Sequence, residues 1–303
     1  MPSLAAQSPA ATHSFRAMGT DVTTIIPDGQ PAAIATVERL FTEWGAMLSR
    51  FRPDSELAAL NASAGTTHQV GPVLFTAAQA ALDAAQATDG LFDPLLAKRL
   101  EDLGYDRTFD ALPAQRTAAE PARDWHPGEW RSMVLDAVRQ TVTLPAVTAL
   151  DLGGIAKGMA VDAALALLIE MGLPYAAVNA GGDLAIHGVP PGEAAWNVAI
   201  DGGAHRLVSL HSGALATSSV QRRTWQVGGE LRHHLIDPRT GMPAHTGLAL
   251  ASVAAASCRQ AEVAAKVALL LGPAAGSDFL ERNGLSALLV TERGSEWRIG
   301  HWT

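Results

Sequence analysis

Asp151-Leu152-Gly153-Gly154-Ile155-Ala156-Lys157-Gly158 places an acid and two glycines directly before an apolar run that extends to Met171. The run predicts a helix from about Ile155 to Met171, with Gly172 as its stop. Its longest apolar stretch, Ala163 to Ile169, lies between Asp162 and Glu170 and reads as the buried part of that helix. Paired glycines let a ligand approach the backbone closely, and the first turn of a helix offers N–H groups without partners in the chain. Both features suit a phosphate, and Lys157 adds a charge in the same turn. The local alternative is that Asp151 caps the helix and the glycines are loop.

Similar clusters of Gly, Asp and small residues lie on either side. Asn179-Ala180-Gly181-Gly182-Asp183 follows the apolar Ala176–Val178, and its glycine pair suggests backbone packed close to something flat or charged. His233-His234-Leu235-Ile236-Asp237-Pro238-Arg239-Thr240-Gly241 couples a short apolar run to an Asp-Pro…Thr-Gly turn. That reading puts His234 on a strand at a sheet edge, where it can act as acid or base; the alternative is a polar strand residue beside a turn. Toward the N-terminus, Met18-Gly19-Thr20 opens a β-branched strand, Thr20 to Ile26. Ser49-Arg50-Phe51-Arg52-Pro53-Asp54-Ser55-Glu56 leads into a short helix capped by Asp54 or Ser55. Thr88-Asp89-Gly90-Leu91-Phe92-Asp93 is turn chemistry after a helix over Val73 to Ala87.

Between these segments, Pro31 opens a helix whose stripe is Ile34, Val37, Phe41, Trp44 and Leu48. Met133–Leu135 and Thr141–Leu144 read as a hairpin, Cys258 to Leu271 as a helix, and Ser286–Thr291 and Trp297–Gly300 as final strands. Residues 106–129 carry three prolines among charges and read as a surface excursion or lobe boundary. Strands and helices mix without βαβ alternation, so the expected class is α+β with a mixed or antiparallel sheet. Residues 1–14 read as a loose tail and 15–303 as the folded domain.

The chain has 303 residues, 48% hydrophobic and 17% charged, which supports a large core and excludes wholesale disorder. Net charge is −8, which argues against nucleic acid as the main partner. One cysteine, Cys258, excludes an intrachain disulfide and a cysteine-based zinc site. No G-x-x-x-x-G-K-[ST], G-x-G-x-x-G after a strand, H-E-x-x-H or G-x-S-x-G occurs. No run of about 20 apolar residues predicts a membrane span. The N-terminus shows neither secretory leader nor lipoprotein anchor, which leads to the expectation of a cytoplasmic location.

Taken in order, these segments resemble the ApbE family, the FAD:protein FMN transferases. The resemblance rests on Met18-Gly19-Thr20, Ser49…Ser55-Glu56-Leu57…Asn61, Asp89-Gly90-Leu91-Phe92-Asp93, Asp151 to Gly158 with Asp162, Asn179 to Asp183, Ala216-Thr217-Ser218 and His234 to Gly241. It covers about residues 15 to 273. It implies an α+β domain of two lobes with FAD in the cleft between them. It also implies cleavage of the FAD pyrophosphate, with FMN moved onto a threonine or serine hydroxyl of a flavin-accepting target protein and AMP released. Two other outcomes on the same scaffold are a non-catalytic FAD-binding protein and an FAD pyrophosphatase giving FMN and AMP.

The resemblance makes His234 the base. It assigns FAD contacts to Met18, Phe51, Leu91, Phe92, Asp93, Asp151, Lys157, Gly181, Gly182, Asp183, Ser218 and Ile236. Phe51 stands where the family often has tyrosine, and Ser219 where it usually has glycine, which narrows the cleft. The family's Mg²⁺ site carries over to the Gly154 carbonyl and to Ala261-Glu262-Val263-Ala264-Ala265-Lys266. There Glu262 replaces an aspartate and Lys266 a threonine. A protonated lysine ligates no metal, so the expectation is that Lys266 pairs with Glu262 or Asp151 and that the Mg²⁺ site is altered.

Overall fold

The computed structural model describes residues 10–113, 115–116, 125–200 and 206–302. Eight strands form the main sheet: β1 (Ala10–Ala17), β2 (Thr20–Pro27), β3 (Ala176–Ala180), β4 (Asp183–His187), β5 (Gly213–Ser219), β6 (Leu248–Ala255), β7 (Ser286–Thr291) and β8 (Glu296–Ile299). Their spatial order is their chain order, and every neighbouring pair is antiparallel. Such a sheet needs no crossover between strands.

The helices are α1 (Pro31–Met47), α2 (Glu56–Ala62), α3 (Pro72–Ala87), α4 (Ala97–Asp102), α5 (Ala156–Glu170), α6 (Cys258–Leu271) and α7 (Pro273–Arg282). Helices α1, α5, α6 and α7 pack on the sheet. Successive side chains of a strand face opposite sides. Thus Ala251 and Val253 of β6 meet Ala264, Ala265, Ala268 and Leu269 of α6, while Leu250 joins Leu215, Leu288 and Val208 on the other face. That second face is covered by the hairpin of Trp196–Ala199 with Leu207–Leu210. Because β6 is buried on both faces, its sequence has no alternation, and sequence periodicity does not single it out.

Parts of the chain between β2 and β3 build a second packed region. Leu57, Leu60, Leu74, Phe75, Phe92, Leu150, Leu152 and Ile155 share one core there. Leu96, Leu100, Leu103, Tyr105, Trp225, Val227 and Ile236 form another. The hairpin of Val134–Asp136 and Thr141–Thr143 forms as its pattern predicts, and Thr67–Gln69 adds a third strand.

Two sequence expectations change. Residues 10–14 belong to β1, paired from Ala10↔Pro27 to Ala17↔Thr20, so only residues 1–9 of the expected tail lie outside the described residues. The backbone ladder with β2 supplies what the polar composition of that segment hides. The strand before the Asp-Pro turn ends at His233, and His234 sits in a bend before the two-residue strand Ile236–Asp237. His234 is therefore not a strand residue. Leu235 N–H donates to His233 Nδ1 at 3.3 Å, which turns the chain at that point.

Candidate active site

The junction before α5 is held from a distance. Asn61 of α2 clamps Leu150 from both sides: its Nδ2 donates to the Leu150 carbonyl at 3.0 Å, and its Oδ1 accepts from Leu150 N–H at 2.7 Å. Asp151 follows. Its Oδ1 accepts from Gly153 N–H at 2.7 Å, closing an Asx turn, and its Oδ2 lies 3.6 Å from Arg50 Nε. Asp151 is thus a turn and ion-pair residue. The helix N-cap is Ile155, which has no capping side chain; in the first turn Ala156 N–H donates instead to the Leu152 carbonyl at 2.9 Å, and Gly158 N–H is taken by a side chain of α6.

Lys157 reaches sideways from that first turn. Its Nζ bonds Asp183 Oδ2 and, at 2.5 Å, Glu262 Oε1. Gly181 and Gly182 place Asp183 there. With φ of 66° and 104° they form the two-residue turn between β3 and β4, and a Cβ on Gly181 would stand 2.1 Å from Thr20 Oγ1. Glu262 Oε2 accepts from Gly158 N–H at 2.8 Å. Burial works against the charge of Lys157, but Asp183 and Glu262 outweigh it and hold its pKa well up. Burial pushes the Glu262 carboxyl up to about 7, with Lys157 opposing and Asp183 assisting. The expected free point charge at Lys157 is instead the centre of a buried Lys–Asp–Glu cluster. Asp162, one turn on, accepts from Cys258 N–H at 2.7 Å and Arg259 N–H at 2.9 Å, capping α6 and locking it to α5.

Lys266 does not pair with Glu262 or Asp151, contrary to expectation. Among the described residues no carboxylate lies within ion-pair distance of it; the ammonium sits 5.0 Å from the Phe92 ring centroid. A Cβ on Gly154 would be 3.1 Å from Lys266 Nζ and 3.4 Å from Phe92, so a side chain there would crowd the ammonium. Burial lowers the Lys266 pKa, opposed in turn by Asp151, Glu262 and Asp93. Asp93 itself is buried, its Oδ1 accepts from Leu95 N–H at 2.8 Å, and burial pushes its carboxyl up to about 6.

These residues do not fit a magnesium ion. Both Glu262 oxygens are committed to Lys157 and Gly158, and an ammonium occupies the space beside Gly154. Among the described residues no group of three or more His, Cys, Asp or Glu is arranged to hold a metal. Magnesium needs near-octahedral oxygen ligands.

His234 faces the same cluster. Its Nδ1 is buried and has no hydrogen-bond partner among the described residues. Burial, together with the charges of Arg223, Lys266, His233 and Lys157, holds its pKa well below the ordinary histidine range. His233 differs: Nε2 donates to the Ala244 carbonyl at 3.0 Å and Nδ1 accepts from Leu235, so it is structural. The following turn is braced by Asp237 and Arg239, joined Nε–Oδ1 at 2.9 Å and Nη2–Oδ2 at 2.8 Å, and by Arg239 Nη2 on the Leu270 carbonyl at 3.1 Å.

An aromatic shelf adjoins these charges. Arg50 lies 4.0 Å over the Phe51 ring, which packs at 5.4 Å on Tyr105. Arg50 and Arg223 are not among the sequence candidates; Arg50 lies inside a quoted motif, but nothing in the local sequence marks Arg223, which the fold brings within electrostatic reach of His234 and Lys157. Met18 has φ 49° and touches Gly45. Leu91 is half-buried beside Gly90, where a Cβ would meet Trp130 Nε1 at 2.5 Å. Ser218 is on β5 opposite Ala251, and Ser219 Oγ accepts from Gln221 N–H at 3.2 Å. Ile236 does not join the polar cluster: its side chain is wholly buried among Trp225, Tyr105 and Leu100.

Cations near an imidazole nitrogen that has no partner among the described residues, with an aromatic shelf beside them, are the chemistry that suits a phosphate-bearing aromatic ligand. A sequence model of the ApbE family matches residues 18–289. The FAD:protein FMN transferase of Treponema pallidum is 32% identical over 278 residues, 86% of this chain and 77% of the relative. That of Rhodobacter capsulatus is 31% identical over 96% of this chain, which spans 57% of that longer protein. The solved ApbE protein of Thermotoga maritima superposes with a TM-score of 0.83 at 25% identity, covering 96% of this chain and 97% of that one. The apo flavinyl transferase ApbE of Pseudomonas stutzeri gives 0.82 at 23% identity, covering 97% and 95%. The chain belongs to the ApbE family.

Proposed function

We propose that this chain is an FAD:protein FMN transferase, moving FMN from FAD to a threonine or serine hydroxyl of a target protein and releasing AMP. The observation that carries the reading is His234: a buried imidazole nitrogen left without a partner among the described residues, within electrostatic reach of Arg223, Lys266 and Lys157. A neutral imidazole held among cations is suited to take a proton beside an anionic phosphate.

In the reaction the target hydroxyl oxygen bonds to the phosphorus on the FMN side. The bridging P–O bond breaks, its electron pair leaves on AMP, and the hydroxyl proton passes to the His234 imidazole. Phosphoryl transfer asks the protein for positioning and charge stabilisation above all. Arg223 and Lys266 supply positive charge toward the pyrophosphate. Phe51, backed by Tyr105 and Arg50, offers a face for a ring of FAD, with Met18, Leu91 and Phe92 as apolar contacts. Asp151, Asp93 and Ser218 supply polar edges, and Ile236 contributes through its backbone. Lys157, Gly181, Gly182 and Asp183 act from behind as the cluster that fixes α5.

The test is product analysis. The full chain is incubated with FAD and candidate flavin-carrying acceptor proteins. The expected products are AMP and an acceptor whose mass has grown by FMN, in equal amounts. Intact FAD, or AMP with only free FMN, would overturn the reading.

A further inference from the structure

Lys266 carries three N–H donors and, among the described residues, no hydrogen bond or ion pair. It is partly buried, and its ammonium is stationed over Phe92 and against Gly154. Four residues earlier on α6, Glu262 is the natural i,i+4 partner. That pairing does not form, because Glu262 is already bonded by Lys157 Nζ and Gly158 N–H. The helix therefore delivers a cation to the site and withholds the anion that would neutralise it. An ammonium so placed has strong unmet demand for anionic oxygen. A second unpaired group lies within its field: His234, whose Nδ1 is buried without a partner. Two polar groups from distant parts of the chain, Lys266 beside Gly154 just before α5 and His234 within reach of its charge, are thus left without a hydrogen-bond partner among the described residues.

A divalent cation beside Lys266 would meet the ammonium's repulsion and find no free oxygen on Glu262. A diphosphate supplies what is missing, oxygens for the ammonium and negative charge for Arg223. We propose that Lys266 binds the pyrophosphate of FAD directly, in place of a divalent cation, so that this chain binds FAD and transfers FMN without magnesium. The proposal rests on the FAD-dependent reading above. Lys266 is a binding residue in this scheme. Its single charge neutralises less than a divalent ion and cannot bridge two phosphate oxygens as a metal does.

The experiment measures FAD affinity of the full chain by titration calorimetry with Mg²⁺ and with excess EDTA. The expected result is one affinity under both conditions. Lys266→Met, similar in length and uncharged, should weaken FAD binding by about 10- to 100-fold, the usual loss for a charge-assisted bond. Lys266→Arg should retain most of the affinity, with EDTA still without effect. The double change Glu262→Asp with Lys266→Thr should make binding respond to Mg²⁺. An affinity in the parent chain that rises roughly tenfold or more with Mg²⁺ and collapses in EDTA would overturn the proposal alone. So would unaltered FAD affinity in a folded Lys266→Met variant. Failure of the parent to bind FAD under any condition would overturn both the proposal and the reading beneath it.

Discussion

His233 and His234 are adjacent, yet one is tied down at both ring nitrogens and the other has a buried Nδ1 with no partner among the described residues. The free ring is the one suited to proton transfer. His234→Ala should lower FMN transfer by about 10²–10⁴ while leaving FAD affinity nearly intact, as for loss of a general base. Parallel rate and binding measurements check it, and parental transfer by the variant would remove His234 from the mechanism. The depressed pKa has its own consequence. A base works when neutral, and burial plus neighbouring cations keep His234 neutral below the ordinary histidine range. We expect kcat/KM for FAD to stay level from pH ~8 to ~6 and to fall only in more acid solution. A decline centred near pH ~6.5 would show an unperturbed group instead. Asp93 works in the opposite sense. Its folded pKa is raised to about 6 by burial, so the folded state holds this proton more tightly than the unfolded chain does. The stability tied to it is full below about pH 4 and is lost as pH rises through the folded value. Asp93→Asn should remove this part of the slope, worth about 1–3 kcal/mol, in urea melts compared at acid and neutral pH.

At the scale of elements, two contacts hold the site in register. The Asn61 clamp joins α2 to the backbone before Asp151, and Leu150, which it grips, is wholly buried. Asn61→Ala leaves a buried N–H and carbonyl unpaired and should cost about 2–3 kcal/mol, with weaker FAD binding as Asp151 shifts. Gly158 permits the approach of α5 to α6: a Cβ there would lie 2.8 Å from Arg259 N. That neighbour is backbone and cannot swing away. Gly158→Ala should push the helices apart, cost about 1–3 kcal/mol and loosen Glu262 from Gly158 N–H. Denaturant melts read both, and a Gly158→Ala chain as stable as the parent would contradict the close crossing. The same elements show what was legible locally. Helix α6 runs Cys258–Leu271, as its pattern predicts, because its apolar stripe and Ser257 cap are sequence-local. The cap of the short helix after Pro53 is settled as Ser55, whose Oγ accepts from Ala58 N–H at 2.9 Å. Strand β6 carries no such mark. Its apolar run is buried on both faces, and only packing tells it from a helix.

For the whole molecule, ligand binding and folding are linked. FAD at about 100 times its dissociation constant should stabilise the chain by about 2.7 kcal/mol, hence several degrees in melting temperature. FMN, lacking the AMP half and the pyrophosphate, should give the smaller shift; a thermal scan with equal shifts would count against the cation cluster as a diphosphate site. The sequence alone determined the class, the helices with one-sided stripes, the ordered glycine and acid motifs, and the family those motifs belong to. These depend on neighbours a few residues apart, where turn preference and helical spacing act. Only the tertiary structure decided which charge meets which. Lys157 and Glu262 are 105 residues apart and bonded at 2.5 Å, while Glu262 and Lys266, four apart on one helix, are not paired. Electrostatic pairing follows distance through space and burial. The antiparallel sheet brings Asp183 up to Lys157, α6 adds Glu262 from the far end of the chain, and Lys266 is left with its charge unspent.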